Sequence, residues 1–276
     1  MSYKESMKND WSTVQNVMNL DSNRSWEPLT SFSEELVGIN QVQQMRRAKA
    51  NKRIFALGNG ESRKGIDLTS LYEYGIIYGC NALYREFRPD ALVVVDPVMK
   101  EEIWETDYLL KNKAYFKDWS NKSLIGEDDW AFKATSAYFY KRLGGETSTK
   151  RVINSNDIIH KKFPDDAYRI GYSSGPASVL IASIEEKPNE VYLIGHDIYS
   201  TTGKFNNVYK DTFNYEKSDT HPTPTDNWVD QLGWSFKDFP HIEFYHVGGI
   251  REVIKWKEYK NLHYLTLDEM WKRLNR

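Results

Sequence analysis

Cysteine is almost missing from this chain. Cys80 is the single one in 276 residues, which excludes a disulfide framework and any zinc site built on thiolates. Long apolar runs are missing as well. None approaches the ~20 residues that a membrane helix needs, and Met1 to Trp11 is polar and lacks the apolar core of a signal peptide. A cytoplasmic protein with no membrane span is expected. There is little excess charge of either sign: the net charge is -2 and the pI near 6.3, so no overall field favours nucleic acid. No internal repeat or low-complexity segment is present. The six histidines show no pair at helical metal-ligand spacing, and no Asp-x-Asp pair stands near Asp96. No metal and no resident cofactor are expected.

What is there fits a globular α/β protein: hydrophobic residues make up 40% and charged residues 28%. Nine Trp and 18 Tyr supply rings for the core, with some left to stack on a sugar or base. Residues 1–52 read as an arm followed by a helix over Ser31–Lys52, capped by Ser33 and ending in a basic cluster from Arg46 to Arg53. Residues 53–276 read as one Rossmann-like domain, a mostly parallel sheet flanked by helices. Its predicted strands are Arg53–Leu57, Gly75–Tyr78, Ala91–Val95, Ala114–Lys117, Ala137–Tyr140, Val152–Asn154, Glu190–Ile194 and Ile242–His246. Its helices are predicted over Val98–Thr106, Ser173–Glu186, Thr225–Phe236 and Leu267–Leu274. The polar stretch of about 200–224 is long for a compact domain and reads as a flexible lid.

The chain is organised around Gly58-Asn59-Gly60-Glu61-Ser62, which closes the first strand. Its glycines allow close backbone approach, and a helix starting near Ser62 would offer free N–H groups and a positive dipole end to an anion. Other predicted strand ends point to the same mouth: Asn81 after the second, Asp96 after the third, Asp197 and Tyr199 after Glu190–Ile194. Ser174 and Gly175 open a helix there. In an open parallel sheet, ligands bind beyond the carboxyl ends of the strands. His196 is expected to pack beside its strand end, His241 and His246 to be structural, and Cys80 to be a buried thiol.

In this order and spacing, Gly58-Asn59-Gly60-Glu61-Ser62, Cys80-Asn81, Ser174-Gly175, Gly195-His196-Asp197-Ile198-Tyr199 and His221-Pro222-Thr223-Pro224-Thr225-Asp226 resemble the bacterial sialyltransferase family typified by the lipooligosaccharide α-2,3/α-2,8-sialyltransferases. The similarity spans about Arg53 to Val247. It implies a glycosyltransferase A-like Rossmann variant with a flexible lid, a nucleotide-sugar donor, no metal, and inversion at the anomeric carbon. It further implies that Asn59, Gly60, Asn81, Ser174, Gly175, Asp197 and Tyr199 hold the nucleotide and that His221 is the general base. The sequence departs from the family at Glu61, which replaces a proline, and has only an approximate counterpart, Arg169, for an arginine before Ser-Gly. Ser62 and Asp96 complete the candidate nucleotide site.

Glycosyl transfer needs a base for the acceptor hydroxyl and help for a departing phosphate. Histidine suits the first near neutrality, and the hydroxyls of Tyr199 and Tyr209 with backbone N–H groups suit the second. The acceptor expected is a glycan. A hydroxylated base in DNA is the alternative, resting on the basic cluster and on Lys150-Arg151. A second chemistry is pyrophosphokinase-like phosphoryl transfer, with Asp96 and Asp197 as magnesium ligands. A non-catalytic nucleotide-binding module is the third reading.

Overall fold

The computed structural model describes residues 53–106, 108–117, 152–164, 166–249 and 251–275. The arm and helix expected over 1–52, the strand expected over 137–140 and the Lys150-Arg151 pair lie outside them. The strands are β1 (Arg53–Leu57), β2 (Ile76–Cys80), β3 (Ala91–Val94), β4 (Ala114–Phe116), β5 (Val152–Asn154), β6 (Glu190–Ile194), β7 (Glu243–Val247) and β8 (Leu262–Leu265). They form one sheet in the order β5-β4-β3-β2-β1-β6-β7-β8. Every pairing among them is parallel. This is a Rossmann-like α/β arrangement.

The strand runs are β-branched and aromatic on both sides of the pleat, as a sheet covered on both faces requires. Alternate residues therefore feed two cores. Ile54, Ala56, Tyr78 and Leu193 face one way, against helices α3 (Ser155–Lys162), α5 (Ser174–Glu186) and α6 (Asp226–Asp238). Phe55, Leu57, Ile77 and Ile194 face the other, against α1 (Pro97–Trp104), α2 (Tyr108–Lys111) and α7 (Leu267–Leu274). A short helix, α4 (Ala167–Ile170), leads into α5. Central strand β1 is fully enclosed from Ile54 to Leu57.

Helix α5 lies closest to the site. Proline at its third residue needs no intrahelical donor there, and Ala177, Val179, Leu180, Ile181 and Ala182 bury its flank. It stops at Lys187, which takes the left-handed conformation (φ 47°) before Pro188. Most boundaries match the sequence reading within about two residues. Several elements do not, among them the unpredicted helices α2, α3 and α4. The helix expected near Ser62 is a three-residue 3-10 turn, Glu61–Arg63, and β8 was not anticipated at all.

The 200–224 stretch, expected as a flexible lid, bonds to the rest of the domain at several points. Phe205 N donates to Thr220 O (2.9 Å) and Val208 N to Asn59 O (2.9 Å). Arg85 reaches Thr212 Oγ1 and the carbonyl of Phe213, both at 2.9 Å, while its other bonds go to Glu102. Tyr209 is buried, and its hydroxyl donates to Glu86 (2.5 Å) and accepts from Arg63 (2.9 Å).

Candidate functional site

Sheet order reverses between β1 and β6: β1 to β5 run outward on one side, β6 to β8 on the other. That switch point is where an open α/β sheet parts its loops and leaves a crevice. Here the two loops stay zipped for a short distance past the strands, Gly58 N donating to Ile194 O and Gly60 N to Gly195 O, each 2.8 Å. Gly195 has φ +72°, and a Cβ on it would stand 2.8 Å from the Gly58 carbonyl oxygen. Only glycine fits both demands.

Beyond this seam lies a cavity of about 130 Å³ whose lining includes Asn59, Asn81, Ser174, Gly175, His196, Asn206 and Trp228. The N-terminus of α5 opens into it with the N–H groups of Ser174 and Gly175, which precede the first intrahelical bond. Asn81 sits in the left-handed conformation at φ 48°. Its Oδ1 and that of Asn59 are buried with no hydrogen-bond partner. The Asn59 amide nitrogen is already bonded, to Tyr215 Oη (3.3 Å) and Cys80 O (3.4 Å). The cavity thus combines donors on the helix end with two unmet carboxamide acceptors, and an unmet buried acceptor costs about 1–3 kcal/mol until something donates to it.

His196 is buried in the wall, with Nε2 unpartnered. Burial, helped by the nearby His246, pulls its pKa down to about 3, so the ring is neutral. Cys80 donates to Leu57 O (3.6 Å), and burial pushes its thiol up to about 12. It is an inert thiol, as its sequence setting suggested.

Of the sequence-predicted residues, Asn59, Gly60, Asn81, Ser174, Gly175 and Asp197 line this crevice together. Several are already at work inside the protein. Asp197 accepts from Ser62 N through Oδ2 (2.9 Å) and from Ser62 Oγ through Oδ1. Glu61 N goes to Asn206 Oδ1 (2.8 Å). The N–H groups expected to greet an anion at Glu61 and Ser62 are thereby taken by side chains of the facing loop, and the helix end that opens into the cavity is that of α5. Asp96 is exposed and caps α1 by accepting from Val98 N (3.0 Å). Ser174 Oγ accepts from Val95 N (2.9 Å). Tyr209 belongs to the Arg63–Glu86 network rather than the cavity, and burial raises its pKa. Tyr199 lines a neighbouring pocket. His221 is exposed and lines neither. Arg53, from the basic cluster, is bonded to Glu190 (2.8 Å).

Sequence reasoning missed Arg63, whose 4% exposure no pattern of a charged turn residue would suggest. It donates to Gly58 O (2.8 Å), Glu86 (2.7 Å) and Tyr209 Oη (2.9 Å), tying the crevice floor to the lid stretch. Asn206, Trp228 and Arg251 were also missed, since each sits in a loop or helix end with no fixed offset from a motif, and His246, on β7, was read as structural. The described residues contain no cluster of three or more His, Cys, Asp or Glu side chains able to hold a metal, and no helix among them is long and apolar enough to cross a membrane.

Fold and crevice define the class, an α/β protein with a Rossmann-like parallel sheet and a ligand-sized opening at its switch point. No family model matches the chain, and no curated protein matches it.

Proposed function

We propose that the chain is a glycosyltransferase that holds a CMP- or UDP-linked sugar in the β1/β6 crevice and passes the sugar to an acceptor hydroxyl. The observation that carries this is the pairing, in one cavity, of the α5 N-terminus with the unmet oxygens of Asn59 and Asn81. Phosphate favours a helix N-terminus, and a base amine or ribose hydroxyl supplies the donors that carboxamide oxygens lack. A nucleotide presents both. In this reading His221, exposed to solvent, takes the acceptor's proton and returns it to water, while the acceptor oxygen displaces the donor's phosphate oxygen from the anomeric carbon with inversion, and CMP or UDP leaves with the bonding electrons. The acceptor proposed is a glycan. Magnesium-dependent phosphoryl transfer would need Asp96 and Asp197 to turn toward one ion, whereas Asp96 caps α1 and both Asp197 oxygens accept from Ser62; this favours the transferase.

The test is a thermal-shift series with CMP, UDP, GDP and ATP, each in EDTA and in Mg²⁺. A ligand at a hundred times its Kd stabilises by about 2.7 kcal/mol, which for a domain of this size raises Tm by roughly 5–10 °C. A shift with CMP or UDP that survives EDTA, with turnover lost in His221→Ala, is expected. A shift confined to ATP or GDP with Mg²⁺ would overturn the reading.

A further inference from the structure

A second pocket, of about 170 Å³, opens at the carboxyl ends of β6 and β7 and shares Asp197, Ile198 and Asn206 with the crevice. His246, only 3% exposed, lines it. Its Nε2 lies 2.9 Å from the carbonyl oxygen of His196, so that nitrogen carries the hydrogen and Nδ1 is a lone-pair acceptor. Nδ1 has no partner. Gly249 keeps this ring edge clear of side chains, for a Cβ there would stand 2.5 Å from Cε1 and 2.6 Å from Nδ1. Across the pocket, Arg251 lays its guanidinium on the Tyr199 ring, 3.8 Å from the centroid, which fixes the plane of its fork. Acids in the lining are engaged elsewhere: Glu61 pairs with Lys210 (3.0 Å), and Asp197 accepts from Ser62. The outer edge of the guanidinium is left to a ligand.

We propose that this pocket binds a single sugar ring bearing an anionic group, carboxylate or phosphate, with Arg251 on the anion and His246 Nδ1 accepting from a ring hydroxyl. Naming that sugar the acceptor, seated beside the donor, rests on the transferase reading; the binding itself does not. Burial lowers the His246 pKa, which keeps Nδ1 an acceptor at neutral pH. A planar fork on a fixed ring suits bidentate capture of either anion.

The experiment titrates the full-length chain with glucuronate, glucose 6-phosphate and glucose, read by saturation-transfer NMR. Binding of glucuronate or glucose 6-phosphate at least tenfold tighter than glucose is expected, and which of the two binds identifies the anion. Arg251→Ala, at an exposed position, is expected to weaken that binding at least tenfold while leaving the CMP or UDP thermal shift intact. His246→Phe, which keeps the ring and removes the acceptor, is expected to weaken it several-fold; if that variant does not fold, Arg251→Ala decides. Glucose binding as well as the charged sugars, or charged-sugar binding unchanged in Arg251→Ala, overturns the proposal. A missing nucleotide shift with intact sugar-acid binding overturns the donor reading and leaves this site standing.

Discussion

Ser62 and Asp197 clasp the two loops of the crevice, and the clasp is measurable. Asp197→Ala strips the acceptors from Ser62 N and Ser62 Oγ and leaves an amide unpaired in a half-buried turn. Hydrogen bonds to a charged partner contribute about 1.5–3 kcal/mol, so the loss should be about 2 kcal/mol. At roughly 2–4 °C per kcal/mol for a domain of this size, Tm should fall by about 4–8 °C. Ser62→Ala removes only the hydroxyl and should cost about half as much. Because the two share one contact, the double variant should cost less than the sum. Asp197→Asn keeps one acceptor for the amide and should fall between wild type and Asp197→Ala. Urea melts at constant m-value, with nucleotide titrations on the same samples, read both quantities. If Asp197→Ala leaves stability unchanged yet abolishes nucleotide binding, the carboxylate serves the ligand and the clasp argument is refuted.

Three further outcomes are expected. His196 is held neutral in the fold, its pKa at about 3 against an ordinary 6.5, so the unfolded chain binds a proton that the fold refuses; stability is full above pH 6.5 and declines as pH falls from there toward 3, and urea midpoints for His196→Gln should decline less over that range. Gly195→Ala should cost clearly more than Gly203→Ala: both glycines have positive φ, but only at 195 does a Cβ meet backbone, since nothing lies within 4 Å at 203; equal Tm losses would deny the close approach at the seam. Arg85→Ala removes the bonds to Thr212 and Phe213, so trypsin should cut faster at Lys210 and Lys217 with little change in global Tm.

Much of the fold was legible because its strands state themselves. Arg53–Leu57 and Glu190–Ile194 are apolar β-branched and aromatic runs with sharp polar ends, and their bounds came out as read. Helix α5 announces its start with Ser-Gly-Pro. Strand β8 did not: Leu-His-Tyr-Leu is short, half-exposed at the sheet edge, and carries a histidine that pairs with Glu243 (2.5 Å). Helix α3 escaped because eight residues of mostly polar sequence are held by an Asn154 cap and by packing on α5, neither of which is a periodic signal. At the site, residue types were legible and their assignments were less so. Asp197 and Asp96 stand at strand ends as expected, yet a carboxylate that caps a turn and one that meets a ligand have the same sequence signature. Only the position of Ser62 against Asp197 separates them. The lid stretch was recognisable by length; its anchoring through Arg63 and Arg85 was not, because that depends on partners more than 100 residues away.

The seam between β1 and β6 also sets an order of assembly. Leu57 and Cys80, on β1 and β2, bond across 23 residues, whereas Arg53 and Glu190, on β1 and β6, are 137 apart. Closing the longer loop costs about 1.6 kcal/mol more chain entropy, and distant pairings of this kind slow folding. A chain still emerging from the ribosome can pair β1 with β2 and β3 long before β6 exists, and through that interval Asn59 and Asn81 have no opposing wall. The crevice comes into being only after β6 docks against β1, so capture of a ligand there cannot precede that long-range pairing.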